Sequence, residues 1–185
     1  MAMPLPKVAQ LPELVVDFLT QTFIPYARAK EPTLIARPSG RVMFYRWWLL
    51  RDEGVCSVYV NRHVGSDDVQ APHDHPWDNM SIVLDGQFSE CLYDGPELRE
   101  TMVRRKGDVV VRAATLSHRI EMRPGEECWT LFVTGPVINK WSFNCPGGPV
   151  PAERFLHPIN PLSEPGPGCA GNEVTDPALA SVDTR

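Results

Sequence analysis

The chain has 185 residues, with 18 Lys and Arg against 23 Asp and Glu for a net charge of −5, and 43% apolar side chains. That length suits one domain with a sizeable core, and an acidic balance with no Lys/Arg block excludes nucleic acid as an expected partner, because phosphate-backbone binders gather positive charge on one face. No apolar run approaches the ~20 residues of a membrane helix, and Met1 to Gln10 lacks the charged start and long greasy core of a signal peptide, so a cytoplasmic protein with no membrane partner is expected.

In chain order, the first element is a short amphipathic helix over 11–24. Leu11, Leu14, Val15, Phe18 and Leu19 form one stripe, Pro12 occupies a tolerated first-turn position, and Pro25 is placed to end or kink the helix. After it, β-branched and aromatic runs alternate with turn signals. Val42 to Leu50, Val55 to Val64, Ser81 to Leu84, Gln87 to Tyr93, Asp108 to Arg112, Ser117 to Met122, Trp129 to Thr134 and Lys140 to Asn144 read as strands. Asp52-Glu-Gly54, Asp85-Gly86, Asp94-Gly-Pro96, Lys106-Gly107 and Arg123-Pro-Gly125 punctuate them. That spacing calls for an all-β sandwich, jelly roll or small barrel.

Of 19 prolines and 13 glycines, thirteen residues fall between Pro146 and Arg185. The expected organisation is therefore a single domain over 1–156, with its barrel at about 41–145, followed by a loose Pro/Gly-rich tail over 157–185 that has little to bury. Cys56, Cys91, Cys128, Cys145 and Cys169 are odd in number, widely spaced and without a C-x-x-C pair. They read as reduced thiols rather than a disulfide frame.

The chemistry concentrates in Pro72-His-Asp-His-Pro-Trp-Asp-Asn79. Two histidines one residue apart on an extended segment point the same way, with β-carbons about 6.5–7 Å apart, from which two imidazoles can converge on one ion. A third histidine, His118, lies in a later strand run, whereas His63 and His157 carry no motif. Imidazole suits iron, zinc, copper and nickel.

The two segments resemble the paired motifs of the cupin superfamily. The first runs H-x-H, three or four residues, E, six residues, G; here it reads His73-Asp-His75, then Asn79, then Gly86. The second runs G, five residues, P-x-G, two residues, H; here it reads Gly107, Ala113-Ala-Thr115 and His118. The resemblance implies a double-stranded β-helix with a short N-terminal helix, and a metal held by His73, His75 and His118. Asn79 stands where the family's glutamate ligand would be, so a fourth ligand is open between the Asn79 amide oxygen and Asp78. Thiol dioxygenases are similar in lacking that glutamate, which favours iron(II), with zinc, nickel, manganese or copper as alternatives.

The resemblance also implies a small-molecule substrate or ligand and a homodimer paired through edge strands and the N-terminal segment. Arg46 and Arg62 share strand parity with apolar neighbours and are candidates to bind an anionic substrate, as is Arg112; Trp77 is a candidate pocket wall. Three functions stay open: iron(II)-dependent oxygenation of a small organic molecule, non-catalytic ligand or metal binding, and metal-dependent isomerase, epimerase or lyase chemistry.

Overall fold

The computed structural model describes residues 5–36, 42–67, 71–156 and 168–172. The described strands are β1 (Lys7–Gln10), β2 (Thr33–Ala36), β3 (Val42–Asp52), β4 (Cys56–His63), β5 (Asn79–Asp94), β6 (Glu97–Arg105), β7 (Asp108–Arg112), β8 (Ser117–Glu121), β9 (Cys128–Thr134), β10 (Ser142–Cys145) and β11 (Gly148–Pro151). The helices are α1 (Glu13–Arg28) and α2 (Ala152–Leu156).

The strands form two antiparallel sheets that share β5. The first has the order β1-β7-β5-β9-β4-β3-β2, and the N-terminal half of β5 lies between β7 and β9. In the second, the C-terminal half of β5 lies between β6 and β8. Isolated bridges from His73 to His118 and to Phe143 carry that sheet on from β8 to β10, which pairs with β11. This is a double-stranded β-helix with a short N-terminal helix, the architecture expected.

Asp85-Gly86 was expected to separate two strands; instead β5 runs continuously for 16 residues and turns from one sheet into the other there. The register against β9 shifts between Val83 and Asp85, and Gly86 takes φ +77°. A Cβ at Gly86 would stand 2.2 Å from the carbonyl oxygen of Glu127, so only glycine lets the start of β9 pass this close to the bend.

The N-terminal helix is longer than the expected 11–24 span and continues through Pro25 to Arg28. Pro25 removes one donor, but Gln21, whose carbonyl it leaves free, is exposed and open to water. The buried face also differs from the expected stripe. Val16, Ile24 and Ala27 are buried, whereas Leu14 and Phe18 remain 82% and 66% exposed. The hydroxyl of Thr20 donates to the carbonyl of Leu84 at 2.8 Å and fixes this rotation, since that bond places position 20 and its helical neighbours 16, 24 and 27 toward the sheet.

Beneath α1 lies the main core. Ile24 and Ala27 pack on Trp47, Val60, Leu84, Trp129 and Leu131, with Trp47 stacked on Trp129 at 5.4 Å. These sheet residues share the outer face. The opposite parity faces the other sheet and is unusually polar: Asn61, His63, Asn79, Ser81, Thr130 and Thr134 are all buried there. The main apolar face of the first sheet is thus its back, under the helix, and the interior between the sheets carries these polar side chains beside a smaller apolar cluster of Val83, Phe88, Met122 and Cys128.

A second core joins Phe143, Cys145, Val150, Ala152 and Phe155, with Phe143 stacked on Phe155 at 3.7 Å. It corrects one expectation. Cys145 on β10 and Cys169, in a 3-10 turn over Gly168–Asn172, form a disulfide; Cys56, Cys91 and Cys128 are free. Wide spacing in sequence concealed two Cα atoms only 5.4 Å apart in space. One piece of the expected loose tail is therefore tied to the barrel, while the rest of 157–185, His157 included, lies outside the described residues. No described helix is long and apolar enough to cross a membrane.

Candidate metal centre

The His73-Asp-His75 segment is not a regular strand. It is an extended link stitched between two strands. The His73 and His118 backbones exchange hydrogen bonds of 3.0 Å each, Asp74 N–H donates to Ser142 O at 3.1 Å, and His75 N–H donates to Ala114 O at 2.9 Å. The Asp74 carboxylate points the other way and accepts from the Ser142 N–H at 2.5 Å. A residue that alternates with two histidines thereby anchors them, by a route separate from the imidazoles.

The structure brings His73, His75 and His118 together, with their potential ligand nitrogens all within 4.8 Å of one another. The ring centroids of His73 and His75 are 5.0 Å apart, those of His75 and His118 also 5.0 Å. Nε2 of His75 and Nε2 of His118 stand 2.8 Å apart. Burial, and then the neighbouring His118, hold the His75 imidazole well below its ordinary pKa, so it is a neutral base with a lone pair to offer.

Behind His118 is a residue that strand reading alone had not singled out. Glu90, fully buried on β5, accepts from His118 Nδ1 at 2.9 Å. Its two oxygens also receive Arg112 Nε at 2.5 Å and Arg104 Nε at 2.6 Å. Burial alone raises the Glu90 carboxyl, but the Arg112 guanidinium and the His118 hydrogen bond outweigh it and keep the group far below the usual carboxylate range. An ionised Glu90 can only accept, so Nδ1 of His118 carries the proton and its Nε2 is the bare nitrogen facing His75. The available signal was parity: Glu90 shares a strand face with the buried Phe88 and Leu92, where an acid needs a partner.

The remaining candidates are spread around this cluster. The Asn79 amide oxygen accepts from Arg112 Nη1 at 3.4 Å, and Asp78 Oδ1 accepts from the Ala114 N–H at 2.7 Å, bracing the loop that ends in β8. Trp77 stacks on His75 at 4.9 Å and 9° between planes, and its other contact is Phe132 at 5.7 Å. It therefore both orients the His75 ring and walls the cavity beside it.

That cavity, of about 370 Å³, opens on His73 and His75 and is otherwise lined mainly by apolar groups such as Met43, Phe44, Trp77, Trp141 and Phe143. Arg46 lines it too. Arg62 does not: its side chain is on the back of the sheet, paired with Glu127 and set over Trp129. The expectation for Arg62 took the apolar parity of β4 as the interior parity; in fact Val60 packs under α1, and Arg62 follows it outward. Arg112 does not line the cavity either, and is engaged with Glu90, Ser81 and Asn79.

Neither a family model nor a curated protein matches this chain. Among solved structures it is similar to an oxalate decarboxylase from Lactobacillus farciminis in complex with formate, at 15% identity over 70% of this chain and 36% of that one, with a TM-score of 0.46. It is also similar to a polyketide cyclase from Streptomyces resistomycificus, at 20% identity over 57% and 72% of the two chains and a TM-score of 0.47. A cupin-like protein from Thermotoga maritima is similar at 21% identity over 60% and 80%, with a TM-score of 0.46. The chain spans about a third of the length of the oxalate decarboxylase it matches, and no activity is carried over from these likenesses. Its own strand pairing, with the histidines of the Pro72–Asn79 and Gly107–His118 segments meeting between the two sheets, decides the fold. The chain has the cupin fold. Within this fold, the three imidazoles and their Glu90 support form a donor set suited to one divalent metal ion.

Proposed function

We propose that this cupin is a metal-dependent enzyme acting on a small organic molecule, with iron(II) held by His73, His75 and His118 and dioxygen as the second substrate. The observation that carries the reading is the neutral donor set. Three imidazoles converge, and the one buried acid next to them among the described residues, Glu90, is turned to the far nitrogen of His118 and neutralised by Arg104 and Arg112. An ion on such a face keeps its full positive charge and open positions, and iron there would supply Lewis acidity together with redox chemistry toward dioxygen.

The protein's own residues do the rest. Glu90 fixes the tautomer and direction of His118, Trp77 fixes the plane of His75, and the Asp74 carboxylate ties their loop to β10. The apolar walls of the adjoining cavity, Phe44, Trp141 and Phe143, exclude water from a bound molecule.

Elemental analysis of protein purified without added metal, repeated on His73→Ala, tests the site: wild type carries about one ion per chain and the variant far less. Equal trace contents would remove the site. Oxygen uptake by the iron(II)-loaded protein against thiols, diketones and phenolic acids tests the reaction, and bound iron with no uptake across the panel would leave a binding module in place of an oxygenase.

A further inference from the structure

Arg46 sits on the interior face of β3 in an unusual setting for a cation. Its guanidinium carbon lies 3.9 Å from the Tyr59 ring centroid, 5.1 Å from that of Phe44 and 5.3 Å from that of Trp48. Nε donates at 3.1 Å to the amide oxygen of Asn61, a residue only 3% exposed. Among the described residues no carboxylate comes within ion-pair distance of Arg46, and its two terminal nitrogens have no acceptor. The three rings and Asn61 hold the plane of the fork still and leave its outer edge free.

Burial, and then Arg51, lower the Arg46 pKa while Tyr59 opposes the shift, and the aromatic faces around the guanidinium supply no anion to it. An arginine kept partly desolvated and unanswered is destabilising unless something else supplies the anion. Beside it is a second unanswered donor. The Tyr59 hydroxyl is buried, 1% exposed, with no hydrogen-bond partner, and burial pushes its pKa up to about 12, so it stays protonated. Arg46 also stands where two cavities meet: the one that opens on His73 and His75, and another of about 320 Å³ lined by Tyr59, Trp48 and Thr134, with Pro76 and Trp77 common to both.

We infer that Arg46, with the Tyr59 hydroxyl beside it, is the receptor for the carboxylate of a small organic monoacid whose apolar body lies against Phe44, Trp77, Trp141 and Phe143, facing the histidines. The inference rests on the reading of those histidines as a metal site only for the part of the ligand that reacts. A planar carboxylate matches the free edge of a guanidinium by two parallel hydrogen bonds, which a lone ammonium cannot reproduce. One such fork answers one carboxylate, and a lining that is apolar apart from Arg46, Asp67 and the two histidines favours an aromatic or branched aliphatic body over a second anionic group, which Asp67 would repel. The ligand class is therefore an arylalkanoate or similar monocarboxylate.

Binding, read by quenching of tryptophan fluorescence in the full chain, tests this without turnover. The probes are benzoate, phenylacetate and 3-phenylpropionate, each against its own amide. At least one acid is expected to bind tenfold or more tightly than its amide. Arg46→Gln abolishes that preference, and Arg46→Lys restores only part of it. Tyr59→Phe weakens the acid severalfold while the melting temperature holds or rises, because an unpartnered buried hydroxyl is gone. Equal binding of acid and amide across the panel, or a preference that survives in Arg46→Gln, overturns the inference. Metal content of Arg46→Gln separates the two readings: the receptor fails alone if the variant and wild type both hold an ion but neither prefers acids. The metal reading fails alone if acids are preferred and no ion is found.

Discussion

Glu90 on β5 and His118 on β8 are diagonal neighbours across one ladder, Glu90 opposite Ile120 and Leu92 opposite His118, and their side chains meet at 2.9 Å. The same carboxylate closes on Arg104 and Arg112, each 2% exposed. One acid thus serves two functions, answering two interior cations and aiming one imidazole. Glu90→Gln disturbs both, and two measurements tell them apart. Leaving two buried guanidinium groups without their anion costs about 3–5 kcal/mol, and a loosened His118 lowers metal affinity about 10–100-fold. Urea unfolding and competition against a chromophoric chelator read the two effects; a variant that matches wild type in both would sink the assignment.

His63 predicts a pH profile. Its buried imidazole, next to Phe44 and Thr130, has its pKa lowered by burial, partly opposed by Asp67, from 6.5 to about 4. The folded value lies below the unfolded one, so between pH 6.5 and 4 the unfolded chain binds the extra proton. Stability from this group is complete above pH 6.5 and is withdrawn as pH falls through that window, by roughly 3 kcal/mol at its lower end. In His63→Gln the melting temperature should fall less steeply over that range. A wild-type slope no steeper than the variant's would count against the buried neutral imidazole.

Thiol titration checks the Cys145–Cys169 bridge. Unfolded without reductant, the chain should expose three thiols, those of Cys56, Cys91 and Cys128, and all five after reduction. Closing a loop between cysteines 24 positions apart stabilises by about 3 kcal/mol, and Cys145→Ser should lose stability of that order. Five thiols before reduction would contradict the bridge.

At the bend of β5, Gly86→Ala combines a left-handed φ of +77° with a Cβ 2.2 Å from a carbonyl oxygen. The β9 backbone has to move, so the penalty should exceed the ~1 kcal/mol of an unobstructed Gly-to-Ala change. Differential scanning calorimetry on a folded variant reads it; a melting temperature equal to wild type would mean that the corner relaxes freely.

The architecture and the histidine cluster were legible because both rest on local pattern. Period-two runs mark β3, β4, β7, β8 and β9, and the H-x-H spacing predicts two imidazoles on one side. What escaped depends on partners distant in sequence. β6 is exposed along most of its length and rich in charge, so nothing in Glu97–Arg105 alternates by hydropathy, and its one buried cation, Arg104, is explained only by Glu90 across the ladder. β1, β2 and β11 are four residues each, too short to show a period. Arg62 was misplaced because an apolar parity shows that a face is covered without saying whether a helix or a second sheet covers it; the stripe through Leu14 and Phe18 was misplaced because the Thr20 bond to Leu84 turns Val16, Ile24 and Ala27 inward instead.

The back of the first sheet, closed by α1, and its front, facing the histidines, are built from alternate residues of the same strands. Along β3, Tyr45, Trp47 and Leu49 pack in the helix-covered core, while Phe44 and Arg46 border the cavity. Adjacent codons therefore carry separable traits: every second position can drift with ligand choice while its neighbours preserve folding. Slippage of β3 by one residue would exchange the two sets, putting Arg46 under the helix and Trp47 in the binding chamber. The paired run from Phe44 opposite His63 to Trp48 opposite Tyr59 is the register that keeps inheritance of shape apart from inheritance of recognition.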